Sequence, residues 1–300
     1  MKNQYYVVFD IGGSAVKTAL MDHTSRIFHK QSLPTSHANF SELVACFDAV
    51  IHDYAQRYEL SGVAISSCGA VDCDTGIIHG SSALDYIHGP NFKNWCLQTH
   101  HLPCEIENDA CCAALAEVWK GEARDVQDCC SVVIGSGVGG SVIYQRQIHH
   151  GHHLHAGEFG YMVVASDKGQ VHTLSDLAST RGLIESAATV LGLQAQDLTG
   201  FEVFEHAEDN QAVAQVVDDW YHYLAIAMYN IQYCFDPQKI IIGGAISHRD
   251  DLIFQIDCYI DKLMQKLPHA KVRPQISRCQ LGNDANLVGA LYHFIQQQGI

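Results

Sequence analysis

A carboxylate beside paired glycines stands early in the chain, at Phe9-Asp10-Ile11-Gly12-Gly13-Ser14. Glycines let a backbone corner take positive φ and approach a ligand closely, and their unblocked amides favour an anion. The corner is therefore either a phosphate cradle with an acid at its mouth or a plain hairpin turn. It is not a Walker loop. The Gly-Lys-Ser/Thr ending is missing, and Val16, Thr18 and Leu20 alternate like a strand where a helix should follow. A second acid, Asp109, follows Asn108 between an apolar run and the alanine-rich residues 110–119. At such a strand-to-helix junction an Asp either caps the helix or serves as a site carboxylate, because open α/β sheets place ligands at the carboxyl ends of strands. Two more glycine corners occur, Gly135-Ser136-Gly137-Val138-Gly139-Gly140 and Gly243-Gly244-Ala245. A single glycine run has little specificity. A strand–glycine–strand corner repeated in one chain suggests two pseudo-equivalent halves facing each other across one nucleotide.

The elements that must position these residues are those of an α/β protein. Residues 5–9 and 26–33 read as strands, the second broken by Pro34 and Thr35. Residues 40–54 carry a helical apolar pattern, with Asn39 or Ser41 as cap. A short buried strand at 62–66 is followed by a turn at Cys68-Gly69 and a hairpin as far as Ile78. Residues 81–94, which include Gly89-Pro90-Asn91, read as a polar loop long enough to be functional. Residues 104–107, 129–134, 141–144 and 238–242 read as strands, and 211–234, 251–267 and 284–297 as helices.

Composition narrows the class. The 300 residues are 47% hydrophobic and 17% charged, ordinary for a globular protein and long enough for two domains. A formal charge of −15, from 33 acids against 18 Lys and Arg, argues against a nucleic-acid surface or adsorption to an anionic membrane. No run approaches the roughly 18 apolar residues of a membrane span. A strand beginning at Tyr5 leaves no room for a signal peptide, so a cytoplasmic location is expected. The twelve cysteines are scattered through apolar segments without any C-x-x-C pair. They read as reduced core residues rather than as zinc ligands.

With the three glycine corners in place, the order of motifs resembles the ROK family of sugar kinases. The resemblance covers most of the chain. Asp10-Ile-Gly-Gly-Ser14 is similar to the family's first phosphate motif, Glu107-Asn-Asp-Ala110 to the catalytic segment and Ile134-Gly-Ser-Gly-Val-Gly-Gly140 to the second phosphate motif. His155-Ala-Gly-Glu-Phe-Gly160 is similar to the sugar-binding Gly-Glu segment, and Ile241-Ile-Gly-Gly-Ala245 to the adenosine segment. The resemblance implies an actin/hexokinase-like (ribonuclease H-like) two-domain ATPase fold. A smaller domain would span 1–118, with helix 284–300 packing back on it, and a larger one 119–283. It implies an ATP-dependent hexose 6-kinase, with ATP and Mg²⁺ as cofactors, a small sugar as substrate and a homodimer as assembly. Asp109 takes the base position. Asn108, Gly69, Asn91 and Glu158 are candidate sugar contacts. Gly12, Gly13, Ser14, Gly135, Ser136 and Gly137 would hold phosphates, Gly243 and Gly244 would leave room for adenosine, and Asp10 would carry Mg²⁺ through water. Lys17 reads as solvated or strand-paired. The family's repressors carry an N-terminal helix-turn-helix, for which a strand at residue 5 leaves no place.

Departures from the family pattern bear on the sugar. Zinc-bearing members have a His after the second Gly of the Gly-Glu segment and a cysteine cluster beyond it. Here that position is Tyr161, and Asp167-Lys168-Gly169-Gln170 has no cysteine, so no structural zinc is expected. A Glu that holds the sugar near its anomeric carbon is replaced by Ser175. Tyr161 and Ser175 would thus alter the wall near C1 and C2, and the pocket is expected to tolerate a 2-acetamido group or an aglycone there. That places the chain beside glucokinase-, N-acetylmannosamine kinase- and β-glucoside kinase-like members. Five histidines at 149, 150, 152, 153 and 155 offer metal ligands on a loop, without residues that would orient them. The competing readings are a silent sugar sensor, which needs no base at Asp109, and a chaperone or filament ATPase, which lacks the sugar motifs. An acid kinase is a further one, needing arginines that this chain scarcely has.

Overall fold

The computed structural model describes residues 4–80, 82, 84–167 and 169–300, with Asp167 by its backbone only. Ser81, Ala83 and Lys168, which fall within the loop and the cysteine-free segment singled out above, lie outside the described residues. The chain forms two compact units. One runs to Arg124 and adds Gly151–His155 and Leu281–Ile300; the other consists of Asp125–His150 and Ala156–Gln280.

In the first unit, β1 (Tyr5–Ile11), β2 (Ala15–Asp22) and β3 (Ile27–Pro34) form an antiparallel meander. Pro34, expected to break the run after Leu33, is instead the last residue of β3, which is tolerable because β3 is an edge strand. Helix α1 (Phe40–Ala55), capped by Asn39, leads to β4 (Leu60–Ser67), which pairs parallel to β1. A hairpin of β5 (Ala70–Asp72) and β6 (Ile77–His79) follows, then α2 (Phe92–His100). Next come β7 (Cys104–Asn108), parallel to β4, and α3 (Asp109–Lys120). The sheet order is β3-β2-β1-β4-β7. Residues 92–94, expected in a loop, begin α2 instead. The Asn91 side chain accepts from the Asn94 amide and starts the helix, while Phe92 and Cys96 supply its buried face.

Both faces of this sheet are covered, which is why β1 reads as a continuous apolar run. Val7, Phe9 and Ile11 pack with Leu43, Phe47 and Ile51 of α1. Tyr6 and Val8 point the other way, onto Leu287, Leu291 and Phe294 of the closing helix, Ala285–Gln298. Each such side chain contributes about 1.5–3 kcal/mol when fully buried. The closing helix also crosses α3 at close range: a Cβ on Gly289 would stand 1.7 Å from the Cys112 carbonyl oxygen.

The second unit repeats the plan. β8 (Cys129–Ile134), β9 (Val138–Tyr144) and β10 (Gln147–Ile148) form its meander. A hairpin of β11 (Val163–Asp167) and β12 (Gln170–Thr173) follows, then α4 (Leu174–Ala178), α5 (Thr180–Leu191), α6 (Gly200–Asp209) and α7 (Gln211–Phe235). Parallel strand β13 (Lys239–Gly243), helix α8 (Leu252–Gln265) and strand β14 (Ile276–Arg278) complete it. Its order, β10-β9-β8-β13-β14, matches the first sheet strand for strand. Two such sheets in one chain are the actin/hexokinase-like arrangement. β9 starts three residues earlier than its sequence pattern predicts, because Gly139 and Gly140 pair with Val133 and Val132, so the glycine corner shrinks to 135–137. The core forms around α7, whose Val213, Trp220, Leu224, Ala227 and Ile231 are buried at helical spacing. Six of the twelve cysteines are buried, including both adjacent pairs, while five are half-buried and Cys234 is exposed, so the core reading holds for half of them. Among the described residues, no helix is long and apolar enough to cross a membrane.

Candidate active site

Strand β1 delivers Asp10 opposite Lys17 of β2. The residue is 6% exposed, and its Oδ1 accepts from Ser66 Oγ at 2.8 Å and Asn286 Nδ2 at 3.0 Å. Oδ2 lies 3.4 Å from Lys17 Nζ, so Lys17 is a cross-strand partner of the acid. The carboxylate is thus fixed by neutral donors on one oxygen and paired with Lys17 on the other, whose remaining lone pair can accept from a water of a hydrated cation. These residues fit Mg²⁺ held through water, which keeps several of its waters in protein sites.

At the corner after Asp10, the Gly12 amide donates to the Ala15 carbonyl at 3.1 Å, and Thr35 Oγ1 donates to the Gly12 carbonyl at 2.7 Å. Thr35 N also holds the Ser14 carbonyl at 3.1 Å. Gly12 therefore closes the turn, and Gly13 and Ser14 are its exposed members. A Cβ on Gly12 would lie 2.8 Å from the Ala15 oxygen.

The junction between β7 and α3 divides the labour of its two polar residues. Asn108, not Asp109, is the N-cap: its Oδ1 accepts from Cys111 N at 3.1 Å. Its Nδ2 donates to the Gly69 carbonyl at 3.1 Å, which brings the expected sugar contacts Gly69 and Asn108 together. Gly69 has φ +99°, and a Cβ there would meet Ile78 Cγ2 at 2.6 Å, so the turn requires glycine. Asp109 is the first helical residue, with Oδ1 accepting from Ala110 N at 2.9 Å. Burial, and then the charges of Asp109 and Asp10, push the nearby Cys68 thiol up. Asn91 uses its side chain as the cap of α2.

In the second unit, Gly135 N donates to the Gly137 carbonyl at 2.8 Å, and the first amide of α5, Thr180 N, donates to the Gly135 carbonyl at 2.8 Å. Ser136 is exposed at the apex. Ser175 Oγ accepts from Val138 N at 2.9 Å, and a Cβ on Gly160 would come within 2.4 Å of the same oxygen. Ser175 thus ties the phosphate-type corner to the turn Phe159–Tyr161, a role its expected place in the sugar wall did not suggest. Glu158 and Tyr161 flank Phe159 and Gly160 and are both exposed, Tyr161 at 76%. Gly243 ends β13. Gly244 has φ +93°, and a Cβ there would stand 2.1 Å from the Ile134 carbonyl oxygen.

Beyond Gly244 opens a cavity of about 620 Å³, lined in part by Thr180, Phe201, Phe204, Ala245, Ile246 and Arg249. The Arg249 guanidinium lies 3.7 Å over the Phe204 ring. Its size is within the range of ligand pockets, and its aromatic and apolar walls suit a planar heterocycle. Phe201, Phe204 and Arg249 carry no glycine signal and escape sequence reasoning, as do Ser66 and Asn286. A hint of Asn286 exists. Asn283-Asp284-Ala285 repeats the tripeptide Asn108-Asp109-Ala110.

One unit thus fixes an acid at a glycine corner, and the other has a second glycine corner and an apolar cavity. Residues 6–297 match the ROK family. The chain is 31% identical to a β-glucoside kinase of Klebsiella pneumoniae, over 96% of this chain and 95% of the relative. It is 30% identical to a β-glucoside kinase of Listeria monocytogenes, over 97% of each. A crystal structure of a ROK family protein from Streptococcus pneumoniae in complex with sucrose superposes with a TM-score of 0.90 at 32% identity, covering 98% of this chain and 99% of that one. The chain belongs to the ROK family.

Proposed function

We propose that this chain is an ATP-dependent sugar kinase that phosphorylates the 6-hydroxyl of a hexose derivative bearing a substituent at C1 or C2. The observation that carries the reading is the Asn108–Asp109 junction, where Asn108 does the capping and so releases Asp109 from that task. Asp109 accepts the proton of the attacking hydroxyl as its oxygen approaches the γ-phosphorus in line. Asn108 still has one amide hydrogen and one lone pair for a sugar hydroxyl. Gly13 and Ser14 in the first unit and Ser136 and Gly137 in the second offer backbone to the phosphates, with Gly12 and Gly135, whose amides are used within their own turns, shaping the corners. Asp10 holds the water shell of Mg²⁺, which when bound neutralises phosphate charge. The adenine enters the cavity beside Gly243 and Gly244, against Phe204. Glu158 accepts from ring hydroxyls, Asn91 keeps its loop in place and the exposed Tyr161 ring lies along the substituent. We take the two units as the two kinase domains and a cytoplasmic homodimer as the working form.

The relatives named β-glucoside kinases and the Tyr161 replacement support a substituted acceptor. The test is a coupled assay of ATP consumption over glucose, N-acetylmannosamine and a β-glucoside, with the phosphate position of each product assigned by NMR. Phosphate on O6 of the glucoside or acetamido sugar is expected. A preference for free glucose of about tenfold or more, equivalent to 1.4 kcal/mol, sinks the acceptor assignment. Absence of turnover on every sugar, unchanged by Asp109→Asn, identifies a sensor instead.

A further inference from the structure

Behind the Asn108–Asp109 junction, three side chains from separate parts of the first unit converge. Cys73 follows β5, Glu107 is the penultimate residue of β7, and His293 lies on the closing helix. One ligand atom of each lies within 4.8 Å of the others, and among the described residues no other group of three His, Cys, Asp or Glu side chains does this. Glu107 is fully buried and His293 is 3% exposed. The two Glu107 oxygens have different tasks: Oε1 accepts from Asn108 N at 2.7 Å, and Oε2 lies 3.7 Å from His293 Nδ1.

We propose that Cys73, Glu107 and His293 bind one zinc-type transition-metal dication. A sulfur, a nitrogen and an oxygen donor suit Zn²⁺ or Co²⁺ and disfavour Mg²⁺ and Ca²⁺, which prefer oxygen alone. A tetrahedral site would take these three ligands and one water. Charge supports the assignment: a thiolate, a carboxylate and a neutral imidazole around a dication sum to zero, the balance a buried site needs. On binding, the Cys73 S–H bond breaks, an S–metal bond forms and the proton passes to solvent. Burial, and then the Glu107 carboxylate, otherwise hold that thiol protonated. Lys93, which also acts on Cys73, is occupied by Glu105 at 2.6 Å. Coordination through Glu107 Oε2 leaves the Oε1 bond to Asn108 intact. None of the histidines at 149–155 belongs to this group.

The experiment titrates the chelator-treated full chain with Zn²⁺ by calorimetry and with Co²⁺ by absorption. Wild type and Cys73→Ser are compared with a triple variant, His152→Ala/His153→Ala/His155→Ala, and circular dichroism checks folding. One metal per chain, a thiolate-to-cobalt charge-transfer band, and loss of that band with about hundredfold or greater weakening in Cys73→Ser are expected. The triple variant should bind like wild type. Since His293→Gln can disturb a buried position, Cys73→Ser and the cobalt band decide the matter. No stoichiometric binding, binding unchanged in Cys73→Ser, or binding lost with the loop histidines overturns the proposal.

Discussion

Replacing Asp109 by Asn removes the proposed base while changing the surroundings little. The Asn oxygen can still accept from Ala110 N, as Asp109 Oδ1 does at 2.9 Å, and the Asn108 cap is untouched. The structural loss is the favourable interaction of an acid with the first turn of α3, about 0.3–1 kcal/mol. At about 2–4 °C per kcal/mol for a domain of this size, the melting temperature should fall by no more than roughly 4 °C. The chemical loss is far larger. General-base catalysis is worth about 10²–10⁴ in rate, or roughly 2.7–5.5 kcal/mol of barrier. Coupled turnover assays at saturating ATP and sugar should therefore show kcat down by that factor with the sugar KM nearly unchanged, beside a near-native thermal scan. A kcat within about tenfold of wild type in a folded variant refutes the role of Asp109.

Three further outcomes follow from contacts described above. Gly244→Ala combines a φ of +93° with a Cβ 2.1 Å from the Ile134 oxygen, and should cost more than about 2 kcal/mol in urea unfolding. Ser175→Ala leaves the buried Val138 amide without its acceptor, a loss of about 1–3 kcal/mol, and should raise the KM for ATP; a change confined to the sugar KM restores the sugar-wall role. The backbone amide of Thr173, and then its hydroxyl, hold Asp176 below its usual value of 3.8, so its stabilisation is complete above that pH and fades as pH falls through the lower folded value. Thr173→Ala should therefore remove about 0.5–1 kcal/mol at neutral pH and progressively less below pH 4, measured by unfolding at several pH values.

Strands β1, β8 and β13 were legible because a sheet buried on both faces leaves a continuous apolar run that ends at glycine. The long helix α7 was legible because its buried face repeats at 3.6 residues. α5 and α6 were missed, although Thr199 and Glu202 form a readable capping box, because few of their side chains are buried and propensity alone is weak. The site divided in the same way. Asp10 and Asn108-Asp109 are marked by local residue types. The cap's assignment to Asn108 depends on backbone geometry, and the Ser175 contact with Val138 joins residues 37 apart. The partners Ser66 and Asn286 reach Asp10 across 56 and 276 residues, a pairing that no local pattern carries.

The closing helix imposes an order of assembly. It covers one face of the first sheet, yet it follows the whole of the second unit in the chain. At translation rates of about 5–20 residues per second, residues 125–280 take on the order of ten to thirty seconds to emerge. Throughout that interval Tyr6, Val8, Ala19 and Ala64 lack the part of their cover that the closing helix supplies, and by its end the second unit has every residue its own core needs. On the ribosome, the half that is begun first is therefore finished last. The nascent first sheet, with its α3 face open, is the species a chaperone would meet.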